Sequence, residues 1–144
     1  MTKLNPYLTF KGNCEEAFDF YKSVFGGTFS YKGRFSEMPE DPEHPVPEKD
    51  KNKIMHVSLP IGEDYVLMGS DSGGEWGPET VVGNNFSLSI SVSSKQEADN
   101  FHRQLSDGGK VSMPMADTFW GDYFGMCTDR FGINWMVSFT AKQG

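Results

Sequence analysis

At 144 residues the chain has the length of one domain, enough to bury roughly 70% of its unfolded surface. Hydrophobic residues make up 37% and aromatics 14%, so a packed core is readily supplied. A net charge of -7 excludes the basic surface that nucleic acid or an anionic membrane would need, and two cysteines, Cys14 and Cys127, make no disulfide framework.

No apolar run approaches the ~20 residues of a membrane span, and the opening MTKLNPYLTF has no secretory apolar region. A reducing cytoplasm is the expected location, with no nucleic acid and no membrane among the partners.

In chain order, residues 4–10 alternate as a strand does. Asn13 and Glu16 are spaced as an N-cap and its reciprocal acid. Ala17, Phe20, Tyr21 and Val24 then fall on one helical face, and Gly26-Gly27 closes the helix. Residues 28–35 read as a second strand. Residues 36–53 hold four of the eight prolines and form a loop. Ile54–Ile61 and Tyr65–Gly69 flank a Gly62-Glu63-Asp64 turn as a hairpin.

Residues 71–85 are turn-rich and link two halves, the first about 1–70 and the second about 86–140, within a single domain spanning 1–144. The second half starts with Phe86–Val92, an alternation of apolar residues and serines. Ser94 and Glu97 make a capping box, Ala98, Phe101 and Leu105 a buried stripe, and Gly108-Gly109 a stop. Strands over 110–115, 124–128 and 133–139 complete it. The two helical segments nearly repeat each other: E-A-x-x-F, an aromatic or His, a cation, a polar residue, an aliphatic and Gly-Gly, with one residue inserted in the second. This internal duplication predicts an α+β fold of two β-α-β-β-β modules. They would form one curved, mostly antiparallel sheet with helices on the outer face.

Strand parity then selects the residues that face the concave side. They are Asn5, Tyr7 and Thr9; Val66, Met68 and Ser70; Ser87, Ser89 and Ser91; and Asn134, Met136 and Ser138. His56 and Ser58 join them if Met55, Val57 and Leu59 form the core face of their strand. Small hydroxyls, thioethers, amides and one imidazole suit a mixed-polarity organic molecule, although a solvated sheet face carries serine as readily. Trp76, Phe119, Trp120, Tyr123 and Phe124, in loops or at their edges, could stack over a planar ligand or close the sheet ends.

Tyr7-Leu8-x-Phe10, Gly12-Asn13-Cys14-x-Glu16-Ala17, Phe25-Gly26-Gly27, Met55-His56, Leu67-Met68-x-Ser70-Asp71, Phe119-Trp120-Gly121-x-x-Phe124-Gly125 and Asp129-x-Phe131-Gly132-x-x-Trp135-Met136 resemble the PhnB-like branch of the glyoxalase, bleomycin-resistance and extradiol-dioxygenase superfamily (vicinal oxygen chelate fold). The resemblance runs from Leu4 to Phe139. It implies the paired modules, a cavity within the curved sheet and a homodimer. Metal-dependent relatives place one His, Glu or Gln on each of four strands. The matching positions here are about Asn5, Met68, Ser87 and Met136, which are weak ligands for a hard or borderline divalent ion. No metal and no cofactor are therefore expected.

His56 is the one candidate for general-base chemistry, with an ordinary pKa near 6.5 that suits proton transfer, though a strand histidine more often serves structure. Cys14 and Cys127 read as packing residues. The leading expectation is a metal-independent protein holding a small organic ligand in the sheet cavity through Tyr7, His56, Met68, Ser70, Trp76, Ser87, Ser89, Phe119, Trp120, Phe124 and Met136. The alternative is a metal-dependent isomerase, lyase or dioxygenase using His56 and non-standard ligands.

Overall fold

The computed structural model describes residues 2–43, 45–72 and 80–141, and the chain divides into two compact units, Met1–Val81 and Val82–Gly144. Trp76 and His44 lie outside the described residues.

The first unit runs β1 (Tyr7–Phe10), α1 (Cys14–Phe25), β2 (Tyr31–Arg34), β3 (Ile54–Ile61) and β4 (Tyr65–Asp71). The second runs β5 (Leu88–Ser91), α2 (Lys95–Ser106), β6 (Lys110–Asp117), β7 (Asp122–Thr128) and β8 (Asn134–Thr140). Each has the same pairing: the first strand lies parallel to the last, and the other two follow antiparallel, in the orders β1-β4-β3-β2 and β5-β8-β7-β6. The α+β class and the twofold β-α-β-β-β order follow the expectation. Every strand ladder among the described residues closes within one module, so the hydrogen bonding makes two four-stranded sheets.

Helix α1 packs on β3 and β4, and α2 on β6, β7 and β8. The first core gathers Leu8, Phe10, Phe18, Tyr21, Val57, Leu59 and Leu67, with Phe18 meeting Phe10 and Tyr21 edge-on. Phe18, rather than the expected Phe20, is the fully buried phenylalanine of α1, and Cys14 joins it. In the second module His102 takes the place expected of Phe101, with its Nε2 at 3.2 Å from the carbonyls of both Met113 and Met126. Both partners are acceptors, so Nε2 carries the proton there. It serves carbonyls at the irregular register of the β6–β7 ladder.

The N-terminus of α1 corrects the capping expectation. Asn13 makes no side-chain cap. The buried Asp71 carboxylate, at the end of β4, accepts from the backbone N–H groups of Gly12, Cys14 and Ile54 at 2.9 Å each. Each such charge-assisted bond contributes about 1.5–3 kcal/mol. In α2 the local signal holds: Ser94 Oγ accepts from Glu97 N–H, while Glu97 accepts from Ser93 N–H. Both helices stop as expected, at Gly26 (φ 80°) and Gly108 (φ 77°).

A bulge in β3 corrects the parity of its first residues. Gly33 pairs with His56 but Arg34 pairs with Ile54, leaving Met55 unpaired. Ile54 therefore enters the core and Met55 is half-buried.

Glu15, in the first turn of α1, fastens the helix to β2. Its Oε2 lies 2.6 Å from both Lys32 Nζ and Arg34 Nη2. Hydrogen bonding to Arg34 and then Lys32 holds the Glu15 carboxyl down at about 2, against an ordinary 4.5. A depressed carboxylate contributes stability above its unfolded pKa and loses it as pH falls toward the folded one. The stability difference between the native protein and Glu15→Gln, from urea unfolding, is therefore expected to be constant above pH ~5 and to shrink steadily toward pH ~2. A difference that does not change with pH would contradict the clamp.

Candidate site on the open face of the first sheet

The face of the first sheet opposite α1 carries a connected group of side chains. In register across the strands, Tyr7 faces Met68, Met68 faces Ser58, and Ser58 faces Tyr31. In the neighbouring row Thr9 faces Ser70, and His56 faces Gly33. Strand pleating places Leu8, Phe10, Val57, Leu59, Leu67 and Gly69 on the buried side and leaves this set outward.

His56 is the centre of the group. Its Nε2 is hydrogen-bonded to Ser58 Oγ at 2.8 Å, and its Nδ1 has a longer contact of 3.4 Å with the Tyr7 hydroxyl. The imidazole lies between two phenol rings, 5.6 Å from Tyr7 and 5.8 Å from Tyr31, tilted 38° and 45° to them. Both tyrosines are 48% exposed, so each retains a free ring surface. Of the sequence-derived residues, Tyr7, His56, Met68 and Ser70 share this face.

Tyr31 was not among them. Its position follows from Gly33, two residues on in the same strand. A Cβ built on Gly33 would stand 2.5 Å from the Tyr31 hydroxyl and 2.9 Å from its Cζ, so the ring lies across the space that glycine leaves. The signal is visible in Tyr31-x-Gly33, an aromatic and a glycine of one parity, but only the register opposite His56 gives it meaning.

The second module places the other expected residues on its own sheet. Ser89 faces Met136 and Met136 faces Met126, which faces Met113, while Ser138 faces Phe124. Ser87 precedes β5 rather than lying in it. Phe119 and Trp120 sit at the β6–β7 turn, 97% and 52% exposed, with their rings edge-on at 5.0 Å and Trp120 6.0 Å from Phe124. Trp120 Nε1 donates to Asp122, which anchors the turn. Tyr123 does not join this group: its hydroxyl donates to Asp99 of α2 at 2.6 Å, and Lys95 covers its ring.

The four positions that the family resemblance implies for a divalent ion carry side chains that do not suit one. Asn5 Oδ1 accepts from Val66 N–H and so extends the β1–β4 ladder. Met68 and Met136 offer soft thioethers, and Ser87 a neutral hydroxyl. Among the described residues no group of three or more His, Cys, Asp or Glu is placed to hold a metal ion. Neither cysteine is a reactive thiol: burial, with Asp71 and Glu15 nearby, pushes Cys14 far up, and burial with Asp129 pushes Cys127 up to about 11.

Gly33→Ala tests the Tyr31 placement. Only a half-exposed ring has to move, so the expected stability loss is under about 1 kcal/mol. The Tyr31 ring should leave His56, with shifted imidazole proton resonances in NMR spectra. Unchanged imidazole resonances would contradict the packing described.

Comparison with known proteins places this geometry in a family. Residues 2–138 match the family model described as 3-demethylubiquinone-9 3-methyltransferase. Protein YjdN of Escherichia coli is 30% identical over 97% of both chains. The crystal structure of protein PA1353 from Pseudomonas aeruginosa is 39% identical, with a TM-score of 0.85 over 99% of this chain and 100% of that one. A PhnB protein from Bacillus cereus, 21% identical, shares the fold with a TM-score of 0.72 over 96% of this chain and 100% of that one. A glyoxalase/bleomycin resistance protein/dioxygenase from Nocardioides, 17% identical, shares it with a TM-score of 0.58 over 100% and 87%. Through the match over residues 2–138, the chain belongs to the family described as 3-demethylubiquinone-9 3-methyltransferase, and its two β-α-β-β-β modules share the fold of the PhnB and glyoxalase/bleomycin resistance proteins.

Proposed function

We propose that this protein binds a small organic molecule on the open sheet face, without a divalent ion, and that His56 anchors it. The observation that carries this reading is the Tyr7–His56–Tyr31 group, in which two half-exposed phenol rings flank an imidazole already oriented by Ser58. Such a group offers stacking surface and a hydrogen-bonding centre together, the combination found in small-molecule sites. Ser70 and Met68 border it in module one. The other expected residues, Ser89, Met136, Phe124, Phe119 and Trp120, belong to the second module and its own sheet.

The donor chemistry at Asn5, Met68, Ser87 and Met136 supports metal-free recognition. Methyl transfer is not part of this reading, despite the family's description. The sheets are four-stranded and mixed rather than doubly wound. In the turn from β1 into α1, the N–H groups of Gly12 and Cys14 are already taken by Asp71, and Glu15 and Glu16 follow in the first helical turn. The family resemblance also supports a homodimer, and two free cysteines fit a reducing cytoplasm.

Elemental analysis of protein purified without chelators, with mass spectrometry of co-purifying small molecules, tests the reading. The expected result is a bound organic compound without stoichiometric metal, and loss of that compound by at least about tenfold in His56→Ala. Stoichiometric Mn, Fe, Ni or Zn that leaves with the His56→Ala change would overturn it in favour of a metal-dependent enzyme.

A further inference from the structure

The four strands of the first sheet carry only three formally charged side chains, Lys32, Arg34 and Asp71. All three are drawn to the helix side. Lys32 and Arg34 are ion-paired with Glu15 of α1. Asp71 is buried and accepts from the backbone that leads into α1 and from Ile54. The opposite face is left with Tyr7, Thr9, Tyr31, His56, Ser58, Met68 and Ser70, and no strand side chain of fixed charge.

We infer that the ligand of this face is an uncharged, planar aromatic molecule bearing a hydroxyl or carbonyl that hydrogen-bonds to His56 Nδ1 in place of its long contact with the Tyr7 hydroxyl. The inference rests on the small-molecule reading above and narrows its chemistry. A phosphate, phosphonate or carboxylate brought onto the face would lose water without meeting a guanidinium or ammonium group of these strands, because the two cations of β2 are held on the other side by Glu15. A cationic ligand would lack a carboxylate for the same reason, Asp71 being engaged by three N–H groups. The two phenol rings beside the imidazole instead present π-surface at the spacing and tilt of ordinary aromatic contacts. Hydroxyls of Tyr7, Tyr31, Thr9 and Ser70 supply neutral hydrogen-bonding groups around it.

Three probes separate the terms: naphthol, naphthyl phosphate, and decahydronaphthol, which keeps the hydroxyl and loses the aromatic ring. Titration of the full chain followed by NMR should show naphthol perturbing the Tyr7, Tyr31 and His56 ring signals. It should bind several-fold more tightly than decahydronaphthol and at least about tenfold more tightly than naphthyl phosphate, since stacking is worth up to about tenfold and an unpaired desolvated charge more. Tyr31→Ala should weaken naphthol several-fold while Tyr31→Phe retains it, and both variants should unfold at native urea concentrations because Tyr31 is half-exposed. Naphthyl phosphate or decahydronaphthol binding this face as tightly as naphthol would overturn the inference and leave the small-molecule reading standing. If no probe perturbs the face and the protein also purifies without an organic ligand, both fall together.

Discussion

Glu15 and Asp71 together decide which side of the first sheet is charged. Glu15 sits in the first turn of α1, where the helix dipole favours an anion, and its two short ion pairs hold Lys32 and Arg34 against the helix. Asp71 is a buried carboxylate, a state that is costly unless every oxygen is engaged, and three backbone N–H groups engage it. The same bonds tie the start of α1, the start of β3 and the end of β4 into one joint. Positioning of the helix and neutrality of the opposite face are thus two consequences of one set of contacts.

The duplicated topology has not produced duplicated chemistry. The helices occupy the same place in each module, yet the buried Tyr21 of one corresponds to His102 of the other, which turns its Nε2 to two strand carbonyls. The second module also buries an aspartate, Asp129, but uses it locally: it accepts from Phe131 and Ile133 N–H and from the Trp135 indole. Its open face presents a row of methionines, Met136, Met126 and Met113, where the first module has Met68, Ser58 and Tyr31. An imidazole flanked by phenols is described only in the first. The proposed recognition chemistry is accordingly assigned to the first module.

Local patterns carried most of the fold into the sequence. The β3–β4 hairpin was legible because two strand-like runs, Ile54–Ile61 and one from Tyr65, flank a Gly62-Glu63-Asp64 turn, and the helix ends because paired glycines close both. What sequence could not reveal is non-local. Asn13 and Glu16 have the spacing of a cap, but the group that caps α1 is 57 residues from Cys14 in the chain. The Met55 bulge exchanges one core residue for its neighbour and is visible only in the ladder with β2. His56, Tyr7, Met68 and Ser70 were found by parity alone, whereas Tyr31 needed the register that sets Gly33 opposite His56. Tyr123 had the right location for a ligand-facing aromatic, and Asp99 turned it toward α2.

On the proposed reading, recognition at the Tyr7–His56–Tyr31 face involves no ion pair. The salt dependence of affinity, measured by calorimetry with the bound aromatic compound, tests it most directly. Between ~50 and ~500 mM sodium chloride the affinity is expected to change by less than about twofold, because screening acts only on charge–charge attraction. An affinity that falls several-fold over that range would show that a charged group holds the ligand and would rule out neutral recognition at this face.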